Sequence, residues 1–537
     1  MLLPRPASLR TGAGEFLLDE TAAITAHPEL TPTAVWLQGA LRPATGLPLP
    51  LDPAARHPIS LALRADLAPE AYRLTVTDAS VLIEGGAPAG AFHGCQALLQ
   101  LLPPAVHRRA RVPGQRWAVP AVTVEDGPRF PWRGAMLDVA RHFMPKRDLL
   151  RFIDLLALHR LNVLHLHLSD DQGWRVEIRR YPRLTEVGSW RRESQLGAAE
   201  DAPGDGRPHG GHYTQDDVRE IVAYAAERHI TVVPEIDVPG HTQAAIAAYP
   251  ELGLPGAPSE VRTRWGINPN ILNAEEATVD FFRGVLDEIM ELFPSPHIGL
   301  GGDECPKDHW RADDRTQDLM RQRGLADESA LQGWFIERLG EHLARHGRRV
   351  FGWDEILEGP VPAGTVVASW RGLTGARTAA RRGHDVVSCP DDQVYLDYRQ
   401  SEHPDEPIPF AVPLTLEDTY RFDPVPDGLT AEEAARVIGG QANIWTEHMD
   451  SPRTVDYYAF PRLCAVAEAL WSTGERDVAD FRARLAAHLP RLDAIGVEYR
   501  RADGPLPWQT RPGIPGKPAG RTEWAAFIDG LVARIKD

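Results

Sequence analysis

The feature that most constrains the fold is a regular alternation, from residue 133 onward, of short apolar segments with longer helical segments. Such alternation is typical of a parallel sheet, because each parallel connection has to cross the sheet. Eight units predict an α/β fold of the (β/α)8 TIM-barrel type. A doubly wound sheet is the alternative, but no GxGxxG motif follows an early strand. The predicted strands are residues 134–140, 162–169, 231–237, 297–304, 349–355, 365–370, 385–390 and 438–445.

The segments on either side of this region have a different pattern. Residues 71–85 alternate as strands do, and residues 88–104 indicate a loop that enters an amphipathic helix. Residues 125–134 are rich in proline and glycine and are a plausible junction. We therefore predict three parts: an N-terminal α/β domain with an antiparallel sheet and helices (1–127), the barrel (128–499), and a C-terminal extension with a short helix at 522–537 (500–537).

Composition excludes several classes of function. The 537 residues include 75 acidic and 58 basic side chains and carry a net charge of −17, which argues against general nucleic-acid binding. No apolar run is long enough to span a membrane, and the first sixteen residues lack the apolar core of a secretory signal. The four cysteines show no CxxC spacing, which indicates free thiols in a reducing compartment. We expect a cytoplasmic protein; secretion would require a signal removed from this sequence.

Ionisable and aromatic residues stand at the end of nearly every predicted strand. In a barrel the interior layers are apolar, so polar residues at the carboxyl ends of strands indicate a functional site. Carboxylates and arginine suit sugar hydroxyls, and tryptophan suits the flat faces of sugar rings. The pattern predicts a sugar pocket, and its candidate residues are Arg141, Asp170, Asp171, Asp237, His241, Asp303, Glu304, Trp353, Trp370, Tyr395, Asp397, Trp445 and Glu447.

Seven motifs in this region resemble, in kind and in order, those of glycoside hydrolase family 20, the β-N-acetylhexosaminidases. They are LDVARHFMP, HLHLSDDQGWR, EIDVPGHT, HIGLGGDE, FGWDEI, YLDY and GGQANIWTE. The resemblance covers residues 128 to about 475, and the segment before it resembles the α/β domain that precedes the barrel in that family. It implies a retaining exo-glycosidase that removes terminal β-linked N-acetylglucosamine or N-acetylgalactosamine without metal or cofactor.

The resemblance also implies a mechanism in which the 2-acetamido group of the substrate is the nucleophile and forms an oxazolinium ion. Glu304 matches the general acid/base, Asp303 the carboxylate that holds the acetamido N–H, and Tyr395 the hydroxyl that holds its oxygen. The remaining matches are the acetamido walls Trp353, Trp370 and Trp445, the sugar-binding residues Arg141, Asp397 and Glu447, the supporting pair Asp170 and His241, and Asp237 behind His241.

Some alternatives remain at this stage. A disaccharide-releasing member of the family, an ordinary two-carboxylate glycosidase with Asp237 or Asp397 as nucleophile, and a non-catalytic carbohydrate-binding barrel are the other hypotheses. His165 and His167 share one face of a strand, and we expect core packing there rather than metal binding. Several members of the family that the chain resembles carry a further tryptophan in the loop after the YLDY motif, on the leaving-group side. Residues 398–440 contain no tryptophan, so either Phe410 substitutes for it or the +1 subsite is more open.

Overall fold

The computed structural model describes residues 2–535 and confirms the barrel. Eight parallel strands form a closed sheet in sequence order, with the eighth hydrogen-bonded to the first. Each predicted strand is present within a few residues of its expected bounds. The barrel strands are Trp132–Asp138, Val163–His167, Thr231–Glu235, His297–Gly301, Arg349–Trp353, Val366–Ser369, Asp385–Ser388 and Val437–Ile444.

Helices cover the outside of the barrel, and apolar stripes hold them there. In the helix Lys146–Leu158, Leu149, Phe152, Ile153 and Leu156 are buried, a spacing that forms one helical face. The predicted capping box is present, because Thr214 and Asp217 each accept the backbone N–H of the other. The longer helices of this region are Lys146–Leu158, Gln215–Ala226, Gln243–Ala248, Glu276–Leu292, Asp314–Arg323, Glu328–Arg345, Thr374–Arg381, Pro452–Ala459, Arg462–Trp471 and Val478–Ile495.

The N-terminal domain is a six-stranded sheet packed on two helices, Thr31–Thr45 and Pro88–Leu101. The sheet is mixed rather than purely antiparallel. The strand Pro58–Leu63 runs parallel to both of its neighbours. The helix Thr31–Thr45 carries the chain across the sheet between Ala23–Ala26 and this strand, and the strand Tyr72–Val76 comes between this strand and Val81–Gly85 in the chain. The strands in spatial order are Ser8–Leu17, Ala118–Asp126, Tyr72–Val76, Val81–Gly85, Pro58–Leu63 and Ala23–Ala26.

A buried carboxyl joins this domain to the barrel. Asp126 Oδ2 accepts the hydroxyl of Tyr72 and the indole N–H of Trp471, each at 3.0 Å. Arg160, which precedes the second barrel strand, donates to the same tyrosine oxygen at 3.0 Å. Because all four groups are buried, removing one of them would leave its partners without hydrogen bonds in a site that water does not reach.

The C-terminal extension reaches the rim of the barrel. Its strand Lys517–Pro518 pairs with Phe410–Ala411 in the loop after the seventh barrel strand. Its helix is Arg521–Val532, and residues 536–537 of the predicted helix lie outside the described residues. Between residues 2 and 535, no helix has the length and apolar character needed to cross a bilayer.

Short elements complete the chain. They are the strands Ser169–Asp170, Gly173–Trp174, Trp190–Arg191 and His209–Gly210, the helices Arg183–Glu186, Asp308–Ala312, Asp391–Val394, Leu416–Tyr420 and Ala431–Ala434, and the 3-10 turns Pro28–Leu30, Pro104–His107, Pro250–Leu252 and Asp354–Glu358.

Candidate active site

The turn after the fourth barrel strand directs two consecutive carboxylates to one place. Neighbouring residues on a strand point to opposite faces, but Gly301, Gly302 and Glu304 have φ values of 63°, 92° and 44°. A Cβ at Gly301 would lie 1.9 Å from the carboxylate of Asp237, so only glycine fits there. As a result, Asp303 Oδ2 and Glu304 Oε2 lie 3.5 and 3.6 Å from the same atom, His241 Nε2.

His241 is the cation of this cluster. Burial opposes a charged imidazole, but the carboxylates of Asp170 and Asp303 outweigh that effect and raise the pKa of His241 well above its ordinary value. Its Nδ1 lies 3.2 Å from Asp170 Oδ1, and Asp170 Oδ2 in turn lies 2.8 Å from Arg141 and 2.8 Å from His167 Nε2. Asp170 therefore fixes the imidazole in the orientation that faces the two carboxylates.

Glu304 has the properties of a general acid. Its side chain is 28% exposed, so it borders open space while most of it is enclosed. Burial raises its pKa from 4.5 to about 7, with the charge of Asp303 adding to the rise and the imidazolium of His241 opposing it. A carboxyl with this pKa can donate and regain a proton near neutral pH.

Asp237 lies behind this pair as a neutral support. It is buried, and burial together with the charge of Asp303 raises its pKa well above the ordinary value. Its Oδ1 accepts the Gly302 N–H at 3.1 Å, which holds the turn. Burial also raises the pKa of Asp303, while the His241 imidazolium lowers it. The pair Asp237 and Asp303 therefore holds a single negative charge more readily than one charge on each carboxyl.

One side of the site is a wall of two tryptophans. The rings of Trp353 and Trp445 are 5.7 Å apart at 43°. The indole N–H of Trp353 donates to Glu235 Oε1 at 2.9 Å, and His167 Nδ1 lies 3.1 Å from Glu235 Oε2. His165 Nε2 lies 2.5 Å from the same oxygen. The two strand histidines thus pack in the barrel interior, as expected, and also anchor the wall through Glu235.

A second aromatic pair of the site combines a tryptophan with a tyrosine. The rings of Trp370 and Tyr395 stack at 6.0 Å and 27°. Glu355 accepts the indole N–H of Trp370 at 3.0 and 3.1 Å, and burial raises the pKa of the Tyr395 hydroxyl well above its usual range. Tyr395 therefore remains a neutral hydroxyl that can donate a hydrogen bond.

Three ionisable groups form a third part of the site, where the charge of Glu447 acts on both Arg141 and Asp397. Arg141 donates to Gln172 Oε1 at 3.1 Å, contacts Asp138 at 3.4 Å, and lies 4.9 Å from the Trp445 ring. Asp397 is buried, and its Oδ1 has no hydrogen-bond partner. Burial and the charge of Glu447 raise the pKa of Asp397. An unpaired buried oxygen of this kind is suited to the hydroxyl groups of a ligand.

The structure brings all of the predicted residues into one connected cluster at the carboxyl ends of the strands. Sequence reasoning missed the residues that hold them. Glu235 and Glu355 each stand two positions from a predicted residue, Asp237 and Trp353, and strand alternation was the available signal for Glu235. The clustered predicted residues are Arg141, Asp170, Asp171, His241, Trp353, Trp370, Asp397, Trp445, Glu447, Asp237, Asp303, Glu304 and Tyr395.

A (β/α)8 barrel whose strand ends hold a carboxyl with a raised pKa between aromatic walls defines a glycoside hydrolase. The family model for the catalytic domain of glycosyl hydrolase family 20 matches residues 130–474, and the model for domain 2 of that family matches residues 1–127. The chain belongs to glycosyl hydrolase family 20, and it is an enzyme of the β-N-acetylhexosaminidase type.

Similar proteins span most of the chain. It is 40% identical to the beta-hexosaminidase of Porphyromonas gingivalis over 98% of this chain and 66% of that protein. The beta-N-acetylhexosaminidase of Cellulomonas fimi is 34% identical over 96% of this chain and 98% of that one. The structure of the Vibrio harveyi exo beta-N-acetylglucosaminidase in complex with N-acetylglucosamine aligns with a TM-score of 0.83 at 37% identity, over 93% of this chain and 78% of that one.

Proposed function

We propose that the enzyme hydrolyses terminal, non-reducing, β-linked N-acetylglucosamine or N-acetylgalactosamine with retention, through an oxazolinium intermediate formed by the substrate's own acetamido group. The observation that carries this proposal is the pair Asp303 and Glu304. Both face His241 at about the same distance, yet 10% of the Asp303 side chain and 28% of the Glu304 side chain are exposed. One carboxyl thus suits the leaving group, and its neighbour suits the nucleophile that the substrate supplies.

Glu304 transfers the protons in both steps. In the first step its carboxyl protonates the glycosidic oxygen while the acetamido oxygen attacks C1, so that the C1–O bond to the leaving sugar breaks. In the second step the carboxylate removes a proton from water, which attacks C1 and opens the oxazolinium ring. Because Glu304 regains the proton that it donated, one carboxyl is enough for the cycle.

Asp303 and Tyr395 hold the acetamido group. Asp303 accepts its N–H, and the positive charge that develops on nitrogen favours the ionised form of this carboxyl against the effect of burial. The Tyr395 hydroxyl donates to the acetamido oxygen. The tryptophans Trp353, Trp370 and Trp445 enclose the group, which holds oxygen and C1 together and removes much of the entropy cost of attack.

The remaining residues bind the terminal sugar or support the acid. Arg141, Asp397 and Glu447 form the closed end of the pocket and take the sugar hydroxyls, which favours release of one sugar at a time. Asp170 orients His241, and Asp237 holds the turn that carries the acid.

The same groups argue against a protein nucleophile. An ordinary retaining enzyme needs a second ionised carboxylate about 5–5.5 Å from the acid. The two candidates are Asp237 and Asp397, and burial raises the pKa of both well above the ordinary value. Because a protonated carboxyl is a weaker nucleophile than a carboxylate, this shift disfavours attack by either aspartate.

The test uses a stable mimic of the proposed intermediate. A thiazoline analogue of the oxazolinium ion should inhibit competitively and bind more tightly than the product sugar. Glu304→Gln should abolish turnover of an unactivated disaccharide but keep thiazoline binding. Absence of inhibition by the thiazoline, with normal turnover by the wild type, would contradict the mechanism; absence of any turnover would favour a non-catalytic binding protein.

A further inference from the structure

A second cluster of chemically active side chains lies away from the active site. Among the residues that the structure describes, there are four groups of three potential metal ligands in which the ligand atoms lie within 4.8 Å of one another. Three of these groups contain the active-site residues Asp170, Asp237 or His241. The fourth consists of His159, Cys464 and His488, all buried. His159 stands between the helix Lys146–Leu158 and the second barrel strand, so the cluster is at the end of the barrel opposite the active site.

Hydrogen bonding accounts poorly for this arrangement. His159 Nδ1 lies 2.7 Å from the carbonyl oxygen of Leu155, which can only accept, so Nδ1 carries the proton and Nε2 holds a single lone pair. His488 Nε2 at 3.0 Å and Cys464 Sγ at 3.3 Å both approach that lone pair. One lone pair accepts one good hydrogen bond, and the other neighbour is left without one.

A shared metal ion accounts for all three atoms. Tetrahedral zinc with Zn–N of about 2.0–2.1 Å and Zn–S of about 2.3 Å places its nitrogen ligands about 3.3 Å apart and nitrogen and sulfur about 3.6 Å apart. The observed separations are 3.0 and 3.3 Å, so each would open by about 0.3 Å. The bond from His159 Nδ1 to a backbone carbonyl is the contact that usually orients a zinc-binding histidine.

The surroundings of the cluster include two guanidinium groups. The positive charges of Arg160 and Arg491 act on His488 and would oppose a bound cation. The Cys464 thiol would lose its proton to solvent on binding, and the thiolate would offset one positive charge.

We propose that His159, Cys464 and His488 form a structural site for one zinc-class divalent ion. The ion would join the helices Arg462–Trp471 and Val478–Ile495 to the segment that follows the helix Lys146–Leu158. Its ligands are separated by as many as 329 positions along the chain (159 to 488). Because the site is opposite the active site, it would contribute to thermal stability and leave the chemistry of hydrolysis unchanged.

The decisive measurement uses the full-length wild type. After chelation and dialysis, addition of Co²⁺ should give about one bound ion per chain and the absorption of a thiolate–cobalt bond, and zinc should displace it. The melting temperature should rise with zinc, while kcat/KM at 25 °C stays the same. Absence of thiolate absorption, or binding below about 0.1 ion per chain, would contradict the proposal.

Matched cysteine variants locate the ion. Cys464→Ser and His488→Gln should lose the absorption and the zinc-dependent rise in melting temperature. Cys95→Ser and Cys305→Ser, which change other buried thiols, should retain both signals. Loss of the absorption in Cys305→Ser would assign the ion to the active site and overturn the proposal. Retention of copper in place of zinc would overturn the choice of metal.

Discussion

The pKa of Glu304 makes a quantitative prediction for the pH dependence of catalysis. Burial raises this pKa from 4.5 to about 7, which corresponds to about 3 kcal/mol at 1.36 kcal/mol per pH unit. The first step requires the protonated form. That form makes up about 90% of the enzyme at pH 6, about half at pH 7 and about 10% at pH 8. The value of kcat/KM should therefore fall about fivefold from pH 7 to 8 and about tenfold per pH unit above pH 8.

The assay is kcat/KM from pH 5 to 9 with two substrates that differ in their leaving group. An N-acetylglucosamine disaccharide has a poor leaving group and should show the full decline above pH 7. An aryl glycoside with an acidic phenol needs little proton donation, so its decline should be much weaker. A disaccharide profile that stays flat to pH 9, or equal profiles for both substrates, would refute the assignment of Glu304 as the acid.

Three further predictions concern the charge of Asp303, the C-terminal helix and the stability of the fold. Asp303→Asn keeps the size of the side chain and removes its charge, so kcat should fall about 10²–10³-fold with an unchanged melting temperature; a loss below tenfold would contradict the role of Asp303. Trp524 of the C-terminal helix donates to Asp391 Oδ2 at 2.8 Å, and the Tyr398 hydroxyl donates to the same atom at 3.1 Å. Trp524→Ala should therefore loosen the loop that carries Tyr395 and lower kcat/KM about tenfold. Trp524→Phe is the control that keeps an aromatic ring but loses this hydrogen bond. The third prediction concerns stability. Because the pKa of Glu304 is higher in the folded enzyme, the free energy of unfolding of the wild type should fall as pH rises from 4.5 to 7, by about 1–3 kcal/mol given that 28% of the side chain is exposed. The melting temperature of Glu304→Gln should therefore exceed that of the wild type by more at pH 8 than at pH 5.

The sequence predicted the barrel and the site residues because both produce local signals. Each strand is a short apolar run followed by a polar residue, and these patterns specify the eight strands and place their ends together. The prediction of Asp303 and Glu304 as a functional pair also needed the glycines before them. The left-handed turn that Gly301 and Gly302 form explains how two consecutive side chains reach one histidine.

Features that depend on long-range contacts were not predictable in this way. The parallel pairing of Pro58–Leu63 depends on where the preceding helix crosses the sheet. The role of the C-terminal extension depends on Trp524 meeting a loop more than 100 residues earlier in the chain. The absence of CxxC spacing predicts free thiols and gives no sign of a ligand partner, yet Cys464 meets a histidine 305 positions away. In each case the contact joins residues that are far apart in the sequence, so it exists only once the chain is folded.

The central claim is that the nucleophile belongs to the substrate, and a series of N-acyl groups tests it most directly. Replacing the acetyl group of an aryl N-acetylglucosaminide by fluoroacetyl, difluoroacetyl and trifluoroacetyl withdraws electrons from the acyl oxygen with a small change in size. If that oxygen attacks C1, kcat/KM should fall steeply and continuously along the series. Values that stay within about threefold across the series would show that a protein carboxylate attacks C1 instead, and would contradict the proposed roles of Asp303 and Tyr395.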